Sequence, residues 1–149
     1  MRTFKLTFLA AAALVAGCAQ KKQENPMVGT WQLLTHTEIT GGKTTALDDY
    51  TGNNKFIKII NETHFAFLNH TINTAKDSSN KFDAGGGRYT LNGDKYTEHL
   101  DFYKDKNWEG QSFDFTITFS GDTLIQKGVE KVAKAHVDHI IIEKYLRVK

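Results

Sequence analysis

The stretch Ser112–Phe119, which reads SFDFTITF, decides the fold class of this chain. Its apolar and polar side chains alternate strictly, so that Phe113, Phe115, Ile117 and Phe119 share one face. Successive side chains of a β-strand point to opposite faces, and such alternation is therefore typical of a strand with one buried face. No window of the chain shows a helical period as clear as this alternation, and the chain is predicted to be all-β.

Turn-forming residues divide the chain after Met27 into short strands joined mainly by hairpins. The strands are predicted at Val28–Ile39, Lys43–Leu47, Phe56–Ile60, His64–Thr71, Arg88–Leu91, Lys95–Tyr103, Gln111–Ser120, Thr123–Val129 and His139–Val148. A loop is predicted at Ile72–Gly86, and either a loop or one helical turn is predicted at Asp48–Asn54 and at Glu130–Val137. A count of about eight to ten strands indicates a single antiparallel up-and-down barrel, because closure removes the two open edges of a meander.

The N-terminal segment has a different composition. Arg2 and Lys5 precede an apolar run from Leu6 to Ala16 that is too short to span a bilayer. The residues Val15-Ala16-Gly17-Cys18 resemble the lipobox of bacterial lipoproteins. The alternative is a short buried helix with Cys18 as a core thiol, but the two basic residues stand at the end that a signal peptide requires.

The lipobox resemblance implies three parts of the chain. Residues 1–17 would be a signal peptide, and residues 18–26 a lipidated cysteine with a flexible tether that contains the only proline, Pro26. Residues 27–149 would form one domain. The resemblance also implies a bacterial envelope location through a lipid on Cys18, and Ala19 rather than aspartate after the cysteine favours the outer membrane.

Removal of residues 1–17 takes away Arg2 and Lys5 and leaves 17 basic and 17 acidic residues. A chain without excess positive charge is a poor match for nucleic acid, and no nucleic-acid partner is expected. Cys18 is the only cysteine, so no intramolecular disulfide can form and the domain depends on its hydrophobic core. We expect a monomer or a weak oligomer.

The first strand opens with Gly29-Thr30-Trp31. A Gly-x-Trp motif at this point, followed by a meander of this length, resembles the lipocalin and wider calycin superfamily. The resemblance implies that Trp31 closes the floor of the barrel and packs against a basic residue of the last strand. Arg147 stands at the matching place, and Lys144 is the weaker candidate. Without the resemblance, Trp31 would be read as an ordinary core aromatic residue.

A narrower resemblance covers the whole mature domain. The segments Phe56–Ile60, Thr63–Phe67, Gly85–Tyr89 and Tyr96–Glu98 are similar to those of small lipocalin-like lipoproteins of Bacteroidota that carry a domain of unknown function. This resemblance implies a fold and a location but no ligand. Gly85-Gly86-Gly87 precedes a strand rather than a helix, so we expect a bend or bulge there and no phosphate site.

Tyr96, Glu98, Leu100 and Phe102 share one predicted face, which should point into the barrel. A buried Glu98 needs a partner, and Arg88 is the predicted one, with a hydroxyl from Tyr89 or Tyr96. The predicted ligand-binding set shares this interior and comprises Arg88, Tyr96, Glu98, Phe65, Phe67 and Phe115. The alternative is a structural pair that fixes strand register, or a Glu98 that reaches the rim.

These features predict a carrier that holds a small apolar or amphipathic ligand inside the barrel. The alternative is a structural or interaction lipoprotein whose barrel is filled by its own side chains and whose loops contact an envelope partner. Trp108, in the loop before Gln111, would either cap the barrel mouth or touch that partner. The scattered histidines have no recognised metal-ligand spacing, and no nucleophile motif is present. We expect no enzymatic activity, no bound metal ion and no cofactor.

Replacement of Cys18 by alanine tests the anchor. Because lipidation requires the Cys18 thiol, the Cys18→Ala chain should no longer partition into the detergent phase, whereas the wild-type chain should. Phase separation of whole-cell extracts measures this difference. Continued membrane attachment of the variant would refute the lipid anchor.

Overall fold

The computed structural model describes residues 24–50, 52–72 and 81–149. Within these ranges the chain forms nine strands and one 3-10 turn: β1 (Gly29–Thr40), β2 (Lys43–Asp49), β3 (Asn54–Ile60), β4 (His64–Thr71), β5 (Phe82–Asn92), β6 (Lys95–Tyr103), β7 (Ser112–Ser120), β8 (Thr123–Val132), η1 (Ala133–Ala135) and β9 (Val137–Arg147). The predicted signal peptide, Cys18 and residues 19–23 of the tether lie outside the described residues. Among the described residues, no helix has the length and apolar character needed to cross a membrane.

The strands form one antiparallel sheet that closes on itself. Neighbours along the chain pair from β3 to β9, and β9 pairs back onto β1 to close the ring. Along its other edge, β1 pairs with β3 through Gly29–Gln32 and with β2 through Thr35–Thr40. The ring therefore contains eight strands, with β2 as a ninth that covers the remaining edge of β1. The predicted antiparallel barrel is confirmed.

Side-chain alternation places the core as predicted. Phe113, Phe115 and Ile117 are buried, and Phe119 lies half-exposed at the end of β7, where its ring centroid is 6.0 Å from that of Trp31. The strand bounds differ from the predictions mainly at loops. Strand β5 begins at Phe82 rather than Arg88, and β8 continues to Val132 through residues predicted as a loop.

The three glycines of β5 lie inside the strand, and one of them accompanies a β-bulge. Between Gly86 and Arg88, β5 advances by two residues while β6 advances by three, so Leu100 and Asp101 oppose Gly87. A Cβ atom on Gly87 would collide with the backbone carbonyl of His99. The predicted bulge is confirmed, and only glycine allows β6 to approach so closely.

The same bulge corrects the predicted face of β6. Tyr96, Glu98 and Leu100 point inward as predicted, but the extra residue reverses the alternation after Leu100. Phe102 therefore lies on the outer surface, 68% exposed, and Tyr103 turns inward instead. The prediction for Phe102 was wrong because strict alternation does not hold across a bulge.

The floor of the barrel is closed by Trp31 and Arg147, as the resemblance implied. The Arg147 guanidinium carbon lies 4.1 Å from the centroid of the Trp31 ring. Its Nη1 and Nη2 atoms donate to the carbonyl oxygens of Val28 at 2.9 Å and Pro26 at 2.7 Å, and Trp31 Nε1 donates to Met27 at 2.8 Å. These bonds fasten the segment before β1 across the floor.

Gly29 completes the floor for two reasons. Its φ of +147° is rarely adopted by residues with a side chain, and a Cβ atom would lie 2.5 Å from Arg147 Nη1. Lys144, the weaker basic candidate, is exposed on the outside of β9. The ends of β1 and β9 at Gly29 and Arg147 thus define the floor, and η1 marks the opposite end, the mouth.

Replacement of Arg147 by methionine tests the floor. The variant keeps an apolar stem but loses the cation–π contact and two hydrogen bonds donated by a charged group. We expect the free energy of unfolding to fall by about 2–4 kcal/mol. Urea denaturation measures the change, with Lys144→Met as the control for loss of a basic side chain on the same strand. Equal stabilities of the two variants would contradict the role of Arg147.

Candidate functional site

The barrel encloses a cavity of about 220 Å³ between the filled floor and the mouth. One part of its wall is aromatic and is formed by Tyr50, Phe56, Phe67, Tyr103, Trp108 and Phe113. The other part is polar and is formed by His36, Lys58, Glu98, Gln126, Glu130 and Glu143. Leu100 and Tyr145 complete the lining. The cavity thus presents an apolar and a charged surface to the same space.

Strand register explains where the cavity ends. On several strands, the inward residue one step closer to the floor is buried and does not line the cavity. Phe65 lies below Phe67, Tyr96 below Glu98, and Phe115 below Phe113, and each of the three packs in the core. Of the predicted ligand-binding set, only Glu98 and Phe67 therefore line the cavity. Phe65, Tyr96 and Phe115 form the core beneath it.

Lys58 on β3 is the central charge of the site. It is 3% exposed, and its Nζ donates to Glu98 Oε1 at 2.7 Å and to Gln126 Oε1 at 3.1 Å. The Nζ atom also lies 5.2 Å from the centroid of the Tyr145 ring. Burial alone would lower the pKa of the Lys58 ammonium, but the carboxylates of Glu98, Glu143 and Glu130 outweigh burial and raise it. Lys58 is therefore a fixed positive charge.

The predicted pairing of Glu98 with Arg88 is wrong. In the β5–β6 register Glu98 lies opposite Tyr89, whereas Arg88 lies opposite His99 on the outer face. Arg88 Nε and Nη2 there donate to the Asp101 carboxylate, each at 2.9 Å, and these hydrogen bonds hold the pKa of Asp101 well below its usual range. Adjacent residues of a strand face opposite sides, so Arg88 and the inward Tyr89 cannot both reach the cavity.

Tyrosine hydroxyls near Glu98 have separate roles. Tyr89 donates to the carbonyl oxygen of Asn61 at 2.7 Å, near the floor, and does not reach Glu98. The Tyr96 hydroxyl is buried without a hydrogen-bond partner of ordinary geometry among the described residues. Burial raises the pKa of Tyr96 well above its usual value, and the nearby Glu98 carboxylate adds to the shift. The Glu98 carboxylate is held mainly by Lys58.

Glu143 on β9 is the second buried carboxylate of the cavity. Its Oε2 accepts the Tyr145 hydroxyl at 2.8 Å, and its Oε1 lies 3.7 Å from His36 Nδ1. Burial, followed by the charges of Glu143 and Glu98, raises the pKa of Tyr145. The other ring nitrogen of His36, Nε2, is buried and has no partner among the described residues. A buried polar atom of a cavity-lining residue is thus left without a partner among the described residues.

Glu130 on β8 is the carboxylate nearest the mouth. His139 Nε2 lies 3.0 Å from its Oε2, and His139 Nδ1 lies 3.5 Å from Glu38 Oε2. Burial raises the pKa of Glu130 to about 7, the contact with His139 opposes the rise, and the charges of Glu143 and Glu98 add to it. Although His139 lies between two carboxylates, no group of three or more His, Cys, Asp or Glu side chains in the described ranges could hold a metal ion.

Trp108 lies at the mouth, half-buried in the loop between β6 and β7. Its ring centroid is 6.5 Å from that of Tyr103 and 5.7 Å from that of Phe113, so the indole packs on the cavity's own aromatic wall. The hypothesis that Trp108 caps the barrel is therefore the one that its contacts favour.

Sequence reasoning missed Lys58, Glu143, Glu130, His36 and Gln126. For two of them the sequence contained a signal: Lys58 alternates with Phe56 and Ile60, and Glu143 alternates with Ile141 and Tyr145. A charged residue on an otherwise apolar strand face marks an inward-pointing charge. The other three became apparent only from the pairing of β9 with β8 on one side and with β1 on the other.

Comparison with solved structures identifies the fold. A lipocalin-like protein from Bacteroides uniformis is 15% identical, with a TM-score of 0.51 over 81% of this chain and 97% of that one. An uncharacterized protein from Bacteroides eggerthii is 13% identical, with a TM-score of 0.45 over 81% of this chain and 98% of that one. No family model and no curated protein matches the sequence. The Bacteroides uniformis structure confirms the lipocalin-like fold that Gly29-Thr30-Trp31 predicted.

Removal of the Lys58 charge tests the buried ion pair. Lys58→Met leaves the Glu98 carboxylate buried without a cation, and we expect a loss of about 3–5 kcal/mol in the free energy of unfolding. The double variant Lys58→Met, Glu98→Leu should recover most of this loss, because no unpaired charge remains. Urea denaturation at pH 7 measures all three chains.

The matched control is Arg88→Met, which breaks the exposed pair with Asp101. Solvent screens that pair, so this change should affect stability far less than Lys58→Met. A double variant as unstable as Lys58→Met would show that the loss comes from packing rather than from charge.

Proposed function

We propose that this protein binds a small amphipathic ligand inside its barrel. The observation that carries the proposal is the cavity of about 220 Å³, whose lining combines aromatic with charged side chains. Small-molecule sites are typically concave and apolar, with a few polar groups that orient the ligand. The lipocalin-like fold is compatible with this role, and the proposal assigns no reaction to the protein.

The polar lining of the cavity is better explained by a ligand-binding site than by a poorly packed core. Protein interiors are close-packed, and voids larger than a water molecule are few. Buried polar atoms normally have hydrogen-bond partners, yet His36 Nε2 at the cavity wall has none among the described residues. A ligand with a polar group would both fill the space and supply that partner.

The size of the cavity limits the ligand. An apolar cavity of ~150 Å³ in another protein holds one benzene molecule, and drug-sized ligands occupy pockets of ~300–1,000 Å³. The present cavity of about 220 Å³ lies between these values. It matches one aromatic ring with a short polar arm and is too small for a whole fatty acid, retinoid or haem. Of the apolar and amphipathic ligands predicted from the sequence, we propose the amphipathic class.

We further propose that the protein acts at the bacterial envelope, anchored through a lipid on Cys18. This part rests on the N-terminal pattern of Arg2, Lys5 and the residues before Cys18. A tether of residues 19–26 would place the barrel close to the membrane surface.

A second candidate function is contact with an envelope partner through the outside of the barrel. It is favoured by two exposed aromatic residues on the outer wall, Phe82 at 65% and Phe102 at 68% exposure. Exposed apolar clusters on a soluble surface often mark interaction sites. The filled floor of the barrel is compatible with this role as well.

Tryptophan fluorescence tests the ligand-binding role. The chain has two tryptophans, Trp108 at the cavity and Trp31 in the floor. Titration of the full-length Cys18→Ala chain with 2-phenylethanol, a ring with a short polar arm, should give saturable quenching. The signal should vanish in Trp108→Phe, because Trp31 is buried beneath the cavity.

A cavity-filling variant provides the control. Leu100→Phe places a larger side chain in the cavity and should abolish binding, whereas Leu68→Phe on the outer wall should leave it unchanged. Thermal unfolding checks that both variants fold. Absence of saturable quenching up to millimolar concentrations, or binding that survives Leu100→Phe, would contradict a cavity ligand and favour the second candidate.

A further inference from the structure

We infer that the cavity selects a cation, specifically a primary ammonium attached to an apolar ring. This inference rests on the proposed ligand-binding function and adds the charge of the ligand to it. Three observations support it. Carboxylates outnumber lysines around the cavity, two of these carboxylates can accept further hydrogen bonds, and aromatic side chains line the same space.

The polar wall contains more negative than positive charge. Its lysine is Lys58, and its carboxylates are Glu98, Glu130 and Glu143. Lys58 Nζ is 2.7 Å from Glu98, and this pair neutralises itself. Two carboxylates therefore face the cavity with imidazole neighbours but without a lysine or arginine bound to them among the described residues. A buried carboxylate is unfavourable unless a cation or several donors balance it.

The partners that Glu130 and Glu143 do have leave room for a ligand. Glu143 accepts one hydroxyl, from Tyr145, while His36 remains at 3.7 Å from its other oxygen. Glu130 has His139 at 3.0 Å from one oxygen. Each carboxylate offers about four lone-pair sites, so both can accept N–H donors from an ammonium group.

The aromatic wall favours the same ligand class. Tyr103, Trp108 and Phe113 line the same cavity as the carboxylates and can pack against an apolar ring. Aromatic faces also attract cations, whereas they repel anions. An anionic group would meet two carboxylates, and the Lys58 ammonium that could hold it is already bonded to Glu98 and Gln126.

Affinity for such a cation should increase from pH 6 to pH 8. Glu130 loses its proton near pH 7, and the resulting carboxylate attracts an ammonium that stays charged over this range. The titratable groups that interact with Glu130 are His139 and Glu143 on β9, Glu98 and Tyr103 on β6, and Lys58 on β3. Glu38 and His36 on β1 lie beside His139 and Glu143 in turn. The diagnostic quantity is the difference in pH dependence between the wild-type chain and Glu130→Gln.

The test compares three probes with the same ring: 2-phenylethylamine, 2-phenylethanol and phenylacetate. In calorimetric titrations of the full-length Cys18→Ala chain at pH 8, the amine should bind most tightly, the alcohol less tightly and the carboxylate least. Glu143→Gln keeps an acceptor for Tyr145 but removes the charge, and it should reduce the affinity for the amine by about tenfold more than the affinity for the alcohol. Asp138→Asn, which removes an exposed carboxylate on the outside of β9, is the matched control.

Each outcome has one meaning. The inference is supported if three results are found together. The amine binds more tightly than the alcohol and the carboxylate, its affinity falls in Glu143→Gln, and the pH dependence of its affinity is reduced in Glu130→Gln. If the alcohol binds as tightly as the amine and Leu100→Phe abolishes both, the inference is wrong while the cavity function stands. An equal loss of amine affinity in Asp138→Asn also overturns it, because the effect is then one of overall charge. If none of the probes binds, the proposed function and the inference fail together.

Discussion

The ion pair between Lys58 and Glu98 is the interaction on which the rest of the site depends. Two charges buried in a barrel interior carry a desolvation penalty of several kcal/mol each, and only close pairing with further hydrogen bonds offsets it. Here the 2.7 Å contact, the amide of Gln126 and the aromatic ring of Tyr145 supply that compensation. The pair joins β3 to β6 across the barrel and marks the level at which the packed core ends and the cavity begins.

The two ends of the barrel differ in packing: the floor is filled, whereas the half toward the mouth contains the cavity. At the floor, Arg147 covers Trp31 and fastens the residues before β1, so that end is filled and closed. Toward the mouth, Glu130 on β8, Glu143 on β9 and His36 on β1 line the cavity with carboxylates and an imidazole. Such groups contribute less to folding than leucine or valine would, and their position around an open space is the basis for proposing a ligand there.

The fold could be predicted from the sequence because the patterns that specify strands and turns are local. Alternation in Ser112–Phe119 and the turn residues around Asn92-Gly93-Asp94 specify strands and hairpins directly, and Gly29-Thr30-Trp31 specifies the floor. The site was predicted only in part, because side chains meet there across strands whose register the sequence does not display. Arg88 directly follows Gly87, which lies opposite a bulge of β6, and that bulge decides which side chains of β6 face inward after Leu100. The lysine that pairs with Glu98 is 40 residues away in the sequence.

The most direct test of the account is a crystal structure of the full-length Cys18→Ala chain grown at pH 8 with 2-phenylethylamine. The account predicts electron density for the probe between Lys58 and Trp108, with its nitrogen within hydrogen-bond distance of Glu143 or Glu130 and its ring against the aromatic wall. A structure in which Trp108 and Tyr103 occupy that space, and the probe is absent from the barrel, would contradict it.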